Sequence, residues 1–221
     1  MTEDVILCWS GGKDSALALD RLRQSDRYHV AALLTTVTED YDRVSMHGVR
    51  RALVECQAAA LGLPLQQVRI PAGCVNAQYE ERMREALAIV QGHGIQRVAF
   101  GDIFLEDVRQ YREANLARAS MHGVFPLWKL PSDELAQEFL RLGFLAVVVV
   151  VDPSKLDRSF AGRAFDEAFL RDIPASVDPC GENGEFHTFV SDGPGFRSPV
   201  RFTTGAVVTR DGFVYCDLMP A

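Results

Sequence analysis

The sequence predicts an α/β fold: a doubly wound, mainly parallel sheet with helices on both faces, followed by a small β-rich C-terminal extension. Three observations predict it. Short apolar runs alternate with helix-period segments from residue 5 to residue 151, the βαβ pattern of a parallel sheet. The first run, Val-Ile-Leu-Cys-Trp at 5–9, lacks polar alternation, as a strand covered on both faces does. Two later runs, 202–208 and 213–218, flank Asp211 and Gly212, a strong hairpin signal.

The elements follow in order. After the strand at 5–9, an Ala/Leu-rich stretch predicts a helix over 14–24, and 29–36 reads as the second strand. The polar, acidic segment 37–47 is longer than an ordinary βα connection and predicts a functional or mobile loop. A helix over 48–61 stops at Gly62 and Pro64, and the third strand, 65–70, is closed by Pro71. Asn76 caps a long helix, 77–91, whose apolar set Tyr79, Met83, Leu87 and Val90 recurs at three and four. Then come a strand at 97–101, a helix at 107–121, a short strand at 123–126, and a helix at 133–142 capped by Ser132. The run 144–151 predicts a sixth, buried central strand. Beyond Asp152 the texture is irregular: a helix over 163–171, turns at 174–179, a strand at 187–190 and the hairpin.

Composition narrows the function. The 221 residues are 48% hydrophobic, as in a folded globular protein. A net charge of −7 argues against sequence-independent nucleic-acid binding, which relies on clustered Lys and Arg. The acidic start, 1–4, predicts no leader, and no apolar run approaches a membrane span. Five cysteines (8, 56, 74, 180, 216) with no C-x-x-C pair predict a reducing cytosol.

The chemistry gathers at three places. Ser10, Gly11, Gly12, Lys13, Asp14 and Ser15 lie between the first strand and the first helix. Two glycines let successive N–H groups converge, the helix start adds unpaired donors and partial positive charge, and Lys13 adds a full one. Walker A spacing is absent, and so is GxGxxG. With the first strand central, the chain turns one way to the second strand and the other way to the strand at 97–101. Gly101 and Asp102 then stand beside the loop, where an aspartate holds a metal or a ribose hydroxyl. Thr36 ends the second strand on the same side, and Arg109, Tyr111 and Arg112 open the next helix as anion clamps. The third place is 180–188, where Glu182, Glu185, Asn183 and His187 crowd between Gly181, Gly184 and Thr188.

The run SGGKDS resembles the PP-loop of the ATP pyrophosphatases. The run CGENGEFHTFVSDGPGF resembles the most family-specific signature of the diphthine–ammonia ligases, GEGGEFET-x-V-x-D-x-P-x-F. Gly101-Asp102-Ile103 with Tyr111-Arg112 resembles that family's G-x-I…Y-x-R block, and Leu127-Trp128 its P-x-W segment. Asn183 stands where the family has glycine, and His187 where it has glutamate. The likeness spans nearly the whole chain and is to the short branch of the family.

That resemblance implies an adenine nucleotide alpha-hydrolase type of Rossmann-like fold, with 1–151 as the ATP-binding domain and 152–221 as a substrate-side subdomain. It implies a cytoplasmic, AMP-forming amide ligase using ATP and Mg²⁺. A substrate carboxylate, in the family that of a modified protein side chain, would be adenylated and then joined to ammonia or an amine. Ser10 to Ser15, Thr36, Gly101, Asp102, Tyr111 and Arg112 would bind nucleotide, and Asp14 and Asp102 the metal. Lys13, Asp14, Glu182, Glu185 and His187 would serve catalysis, the two glutamates as an acidic pair facing the acceptor. A homo-oligomer is compatible with this. The rivals are a tRNA-thiolating PP-loop enzyme, which calls for a cysteine pair or an RNA surface, and a nucleotide sensor without turnover.

Overall fold

The computed structural model describes residues 2–221. The elements run β1 (Glu3–Cys8), α1 (Lys13–Gln24), β2 (Tyr28–Thr38), β3 (Arg43–Val44), α2 (Arg51–Leu61) and β4 (Leu65–Ile70). They continue with α3 (Asn76–Gly92), β5 (Arg97–Ala99), α4 (Glu106–Arg118), β6 (His122–Val124), α5 (Ser132–Arg141) and β7 (Leu145–Val151). α6 (Glu167–Asp172), β8 (Phe186–Asp192), β9 (Phe202–Arg210) and β10 (Phe213–Pro220) complete the chain.

The first sheet is parallel apart from one short strand. β1 lies between β2 and β5, β6 flanks β5, and β4 pairs along the other edge of β2. β1 alternates Val5 and Leu7 toward one face with Ile6 toward the other. The first face buries Leu17 and Leu22 of α1 and Leu53 and Val54 of α2. The second buries Leu87 and Val90 of α3 and Leu116 of α4. Helices therefore cover both faces, and the chain order reverses at β1 as expected.

Two sequence expectations are corrected. The run at 144–151 does not extend the parallel sheet. Its strand, β7, lies inside a second, antiparallel sheet ordered β8-β7-β10-β9. An all-apolar strand demands cover on both faces, and α5 with the inner core supplies it, but the pattern does not name the neighbours. The second sheet thus begins before residue 152. The segment 37–47 is also not an open loop: β2 runs on to Thr38, a 3₁₀ turn reverses the chain, and Val44 and Arg43 pair antiparallel with Val37 and Thr38. β4 holds one edge of Val37, so β3 takes the edge that β1 occupies lower down. The hairpin therefore overhangs the end of β1. Asn76 and Ser132 are the first helical residues of α3 and α5 rather than caps.

Candidate active site

The loop after β1 is shaped by its glycines. Gly11 takes φ +81°, and a Cβ there would meet Gln57 Oε1 at 2.7 Å. Gly12 is the residue before α1, and a Cβ there would press on the Thr188 carbonyl at 3.0 Å and on His47 Nε2 at 3.3 Å. The Gly12 N–H donates to Ser10 Oγ at 3.2 Å, and Ser15 Oγ donates to the Gly12 carbonyl at 2.8 Å. At the opening of α1, the N–H groups of Asp14 and Ser15 have no carbonyl within the helix to bond, so they remain available to an anion. Gly101, just past β5, crosses this helix start: a Cβ on it would sit 2.9 Å from the backbone carbon of Asp14.

The late motif closes the loop from the other side. Thr188 Oγ1 accepts from the Lys13 N–H at 3.0 Å, and the Val190 N–H donates to the Gly11 carbonyl at 2.9 Å. Gln57, fully buried on α2, fastens both: its Nε2 donates to the carbonyls of Gly11 (3.0 Å) and Val190 (2.6 Å), and its Oε1 accepts from Trp9 Nε1 at 2.9 Å. Each of these buried groups left unpaired would cost about 1–3 kcal/mol. Lys13 is only 2% exposed. Its ammonium donates to Asp14 Oδ2 at 3.0 Å and to the Cys180 carbonyl, and lies 5.2 Å from the centre of the Phe186 ring. It binds the late motif to the loop and does not extend into the open crevice.

The charges are unusual for carboxylates and imidazoles. Glu182 Oε1 accepts from the N–H groups of Ile103 (2.8 Å) and Phe104 (3.4 Å). Burial, with the nearby Asp14 charge, still pushes the Glu182 carboxyl up to about 7. Burial likewise raises Asp14, against the pull of Lys13, and leaves Asp14 Oδ1 buried with no protein partner. Burial and Lys13 lower His187 to about 4, and burial, His187 and Lys13 lower His47 as well. The two imidazoles, 4.3 Å apart, are therefore uncharged at neutral pH.

Glu182 yields a prediction. Its folded pKa stands above its unfolded one, so it favours the folded state below about 4.5, and that contribution is lost as pH rises through about 7. Glu182→Gln is expected to flatten this fall. Urea midpoints of wild type and variant from pH 4 to 8 check it, and parallel curves would refute it.

The structure separates several residues that the sequence grouped. Glu182 and Glu185 do not form a pair. Glu182 reaches across to the segment after β5. Glu185, 2% exposed, turns inward and accepts from the Asp178 N–H and Asn183 Nδ2, both at 3.1 Å. Asp102 forms a bidentate pair with Arg112, its two oxygens accepting at 2.6 and 3.0 Å. Tyr111 faces α3, donating to Glu80 Oε1 at 3.2 Å beside a groove of about 280 Å³. Thr36 accepts from the Ser45 N–H through its carbonyl. His187 packs against His47 with the rings tilted by 31°, a partner that the sequence reading missed, as it missed Gln57. Gln57 did leave a signal: a lone amide among Leu53, Val54, Ala58 and Leu61 on the buried side of α2.

A glycine loop at the reversal of a parallel sheet, latched by a second motif, lies within the regions that known proteins share with this chain. The model of the diphthamide synthase N-terminal domain matches residues 3–121, and that of the C-terminal domain matches residues 131–214. A diphthine–ammonia ligase of Bos taurus is 26% identical over 91% of this chain and 83% of its own length. One from Schizosaccharomyces pombe is 25% identical over 95% of this chain, which spans only 38% of that protein. A solved structure from Methanocaldococcus jannaschii, described as a predicted subunit of tRNA methyltransferase, superposes with a TM-score of 0.47 at 14% identity, over 86% of this chain and 98% of that one. Two adjoining family models cover both halves of the site, the glycine loop in one and the late motif in the other, and on that ground the chain belongs to the diphthamide synthase family.

Proposed function

We propose that this chain is an ATP-dependent, AMP-forming amide ligase of the diphthine–ammonia ligase type. One observation carries the reading most directly: the two family motifs, 175 residues apart in the chain, meet through Thr188 Oγ1 and the Lys13 N–H at the start of α1. A carboxylate oxygen of the acceptor attacks Pα of ATP, the bond from Pα to the bridging oxygen breaks, and pyrophosphate leaves. Ammonia then attacks the acyl carbon, the bond to AMP breaks, and the nitrogen gives up a proton. The N–H groups of Asp14 and Ser15 hold phosphate oxygens where charge builds. Gly101 keeps the crevice open at that point, and Glu182, poised near neutrality, takes the proton.

Mg²⁺ suits this site in one respect: Asp14 Oδ1 is a buried carboxylate oxygen with no protein partner. Asp14 is the residue that would hold such an ion. When bound, it would neutralise phosphate charge. The acceptor is a carboxylate on a modified protein side chain, as the names of the relatives suggest. Among the described residues no helix is long and apolar enough to cross a membrane.

Turnover with ATP and ammonia should yield AMP and pyrophosphate. Anion-exchange chromatography of the nucleotides decides it, and ADP as the main product would refute the reading.

A further inference from the structure

The β2–β3 hairpin and the turn after it deliver His47 to the roof of the phosphate loop. We propose that His47 is a nucleotide-binding residue of this chain, and that Asp217, on the last strand, is its positioning residue. The proposal rests on the ATP-dependent reading above.

The geometry starts at the loop. His47 Nε2 lies 3.3 Å from where a Cβ of Gly12 would be, so the imidazole stands over the residue that precedes α1. An anion drawn to that helix start meets the ring. The other face of the site is fixed by β8, through Thr188, Val190 and His187. His47, from the first sheet, thus meets His187, from the second, above Gly12.

The segment bearing His47 is closed by its own backbone bonds, from the Val44 N–H to the Val49 carbonyl at 2.8 Å and from the Gly48 N–H to the Val44 carbonyl at 2.9 Å. It is a tight excursion between β3 and α2, with Met46 at φ +67° and 73% exposed, and with Gly48 at φ +63°. Its side-chain anchors to the rest of the fold come largely from β10. Asp217 Oδ1 accepts from Arg43 at 2.8 Å and from Arg50 Nε at 3.2 Å, and Asp217 Oδ2 accepts from Arg50 at 2.7 Å. Arg43 also donates to the Gly48 carbonyl at 2.7 Å, so one guanidinium ties the turn and the strand together. Tyr215 packs so closely under the turn that a Cβ on Gly48 would meet its ring at 2.8 Å. One carboxylate therefore holds both ends of an eight-residue excursion, Arg43 to Arg50, with His47 between them. Asp217 touches no part of the crevice itself; its reach to the nucleotide is through the turn.

The test is calorimetric titration of the intact chain with the non-hydrolysable α,β-methylene analogue of ATP. Wild type, His47→Ala, Asp217→Asn and the double variant are compared. Loss of one hydrogen bond from the imidazole to anionic phosphate predicts binding weaker by about tenfold or more for His47→Ala. Asp217→Asn should weaken binding by several-fold through the same residue. The double variant should then bind no more weakly than His47→Ala, since the two losses share one cause. Asp217→Glu, which retains the charge, should restore affinity to within about twofold of wild type, a difference inside the scatter of additive behaviour. Wild-type affinity in His47→Ala overturns the proposal. So do losses that multiply in the double variant, which would make Asp217 a stability residue only. Thermal unfolding of each variant confirms that a folded chain is being titrated. A wild-type chain that binds no analogue would instead bring down the ATP-dependent reading.

Discussion

Lys13→Ala is expected to lower the stability of the chain by about 3–5 kcal/mol, the cost of removing one partner from a buried ion pair. The reason is where the ammonium sits. It is buried, bonded to Asp14 and to the Cys180 carbonyl, and flanked by the Phe165 and Phe186 rings. Removing it leaves a carboxylate and a carbonyl in the interior without a donor, and cuts a tie between the loop and the late motif. Arg84→Ala is the control. That side chain pairs with Glu81 in the open on α3, where such pairs contribute about 0.5 kcal/mol or less. Guanidinium denaturation of the two variants should therefore differ widely in midpoint. Equal midpoints would mean that Lys13 is solvated and free to meet phosphate directly.

Gly101→Ala is expected to weaken nucleotide binding by about a hundredfold, from a clash costing on the order of 1–3 kcal/mol. The backbone conformation at 101 does not call for glycine, since its φ is not in the left-handed region. The contact alone does. A methyl group there would stand 2.9 Å from the Asp14 carbon, 3.0 Å from its carbonyl oxygen and 3.1 Å from the Ser15 nitrogen. All three are backbone atoms of the turn at the start of α1, so the turn itself must move. Gly143→Ala provides the contrast, because its φ of +81° makes it strained while nothing lies within 4 Å of the added carbon. That variant should lose stability yet bind ATP normally. Titration with ATP separates the two, and normal binding by Gly101→Ala would remove β5 from the nucleotide site.

Much of this was legible in the sequence where local rules govern. The strand–glycine–helix unit, the reversal at β1 and the approach of Gly101 to the loop all follow from the run at 5–15 and the order of apolar segments. What was illegible depends on partners remote in sequence. The all-apolar β7 meets the requirements of a parallel or an antiparallel sheet equally well, so its membership could not be read from its own residues. Glu182 and Glu185 are neighbours in the chain, but a glycine at φ +81° lies between them and sends their carboxylates apart. Asp102 pairs through both oxygens with Arg112, ten residues on, a partner that the sequence order alone does not assign. His47 stood in a segment read as a loop, and only the pairing of β3 with β2 brings it over Gly12.

The latch between loop and late motif also has a consequence in time. Thr188 reaches Lys13 across 175 residues, and Gln57 reaches Val190 across 133. A ribosome adding about 5–20 residues per second needs on the order of ten seconds or more to make that span. Through that interval the parallel sheet can assemble while the Lys13 N–H still lacks Thr188 and the Gly11 carbonyl still lacks the Val190 N–H. Pairing over such separations is also slow once the chain is complete, because loop closure precedes any reward. The newborn chain therefore presents a nucleotide loop in outline well before it can hold one. Gain of activity marks the docking of β8 onto the loop, a late event in folding, and not the formation of the first sheet.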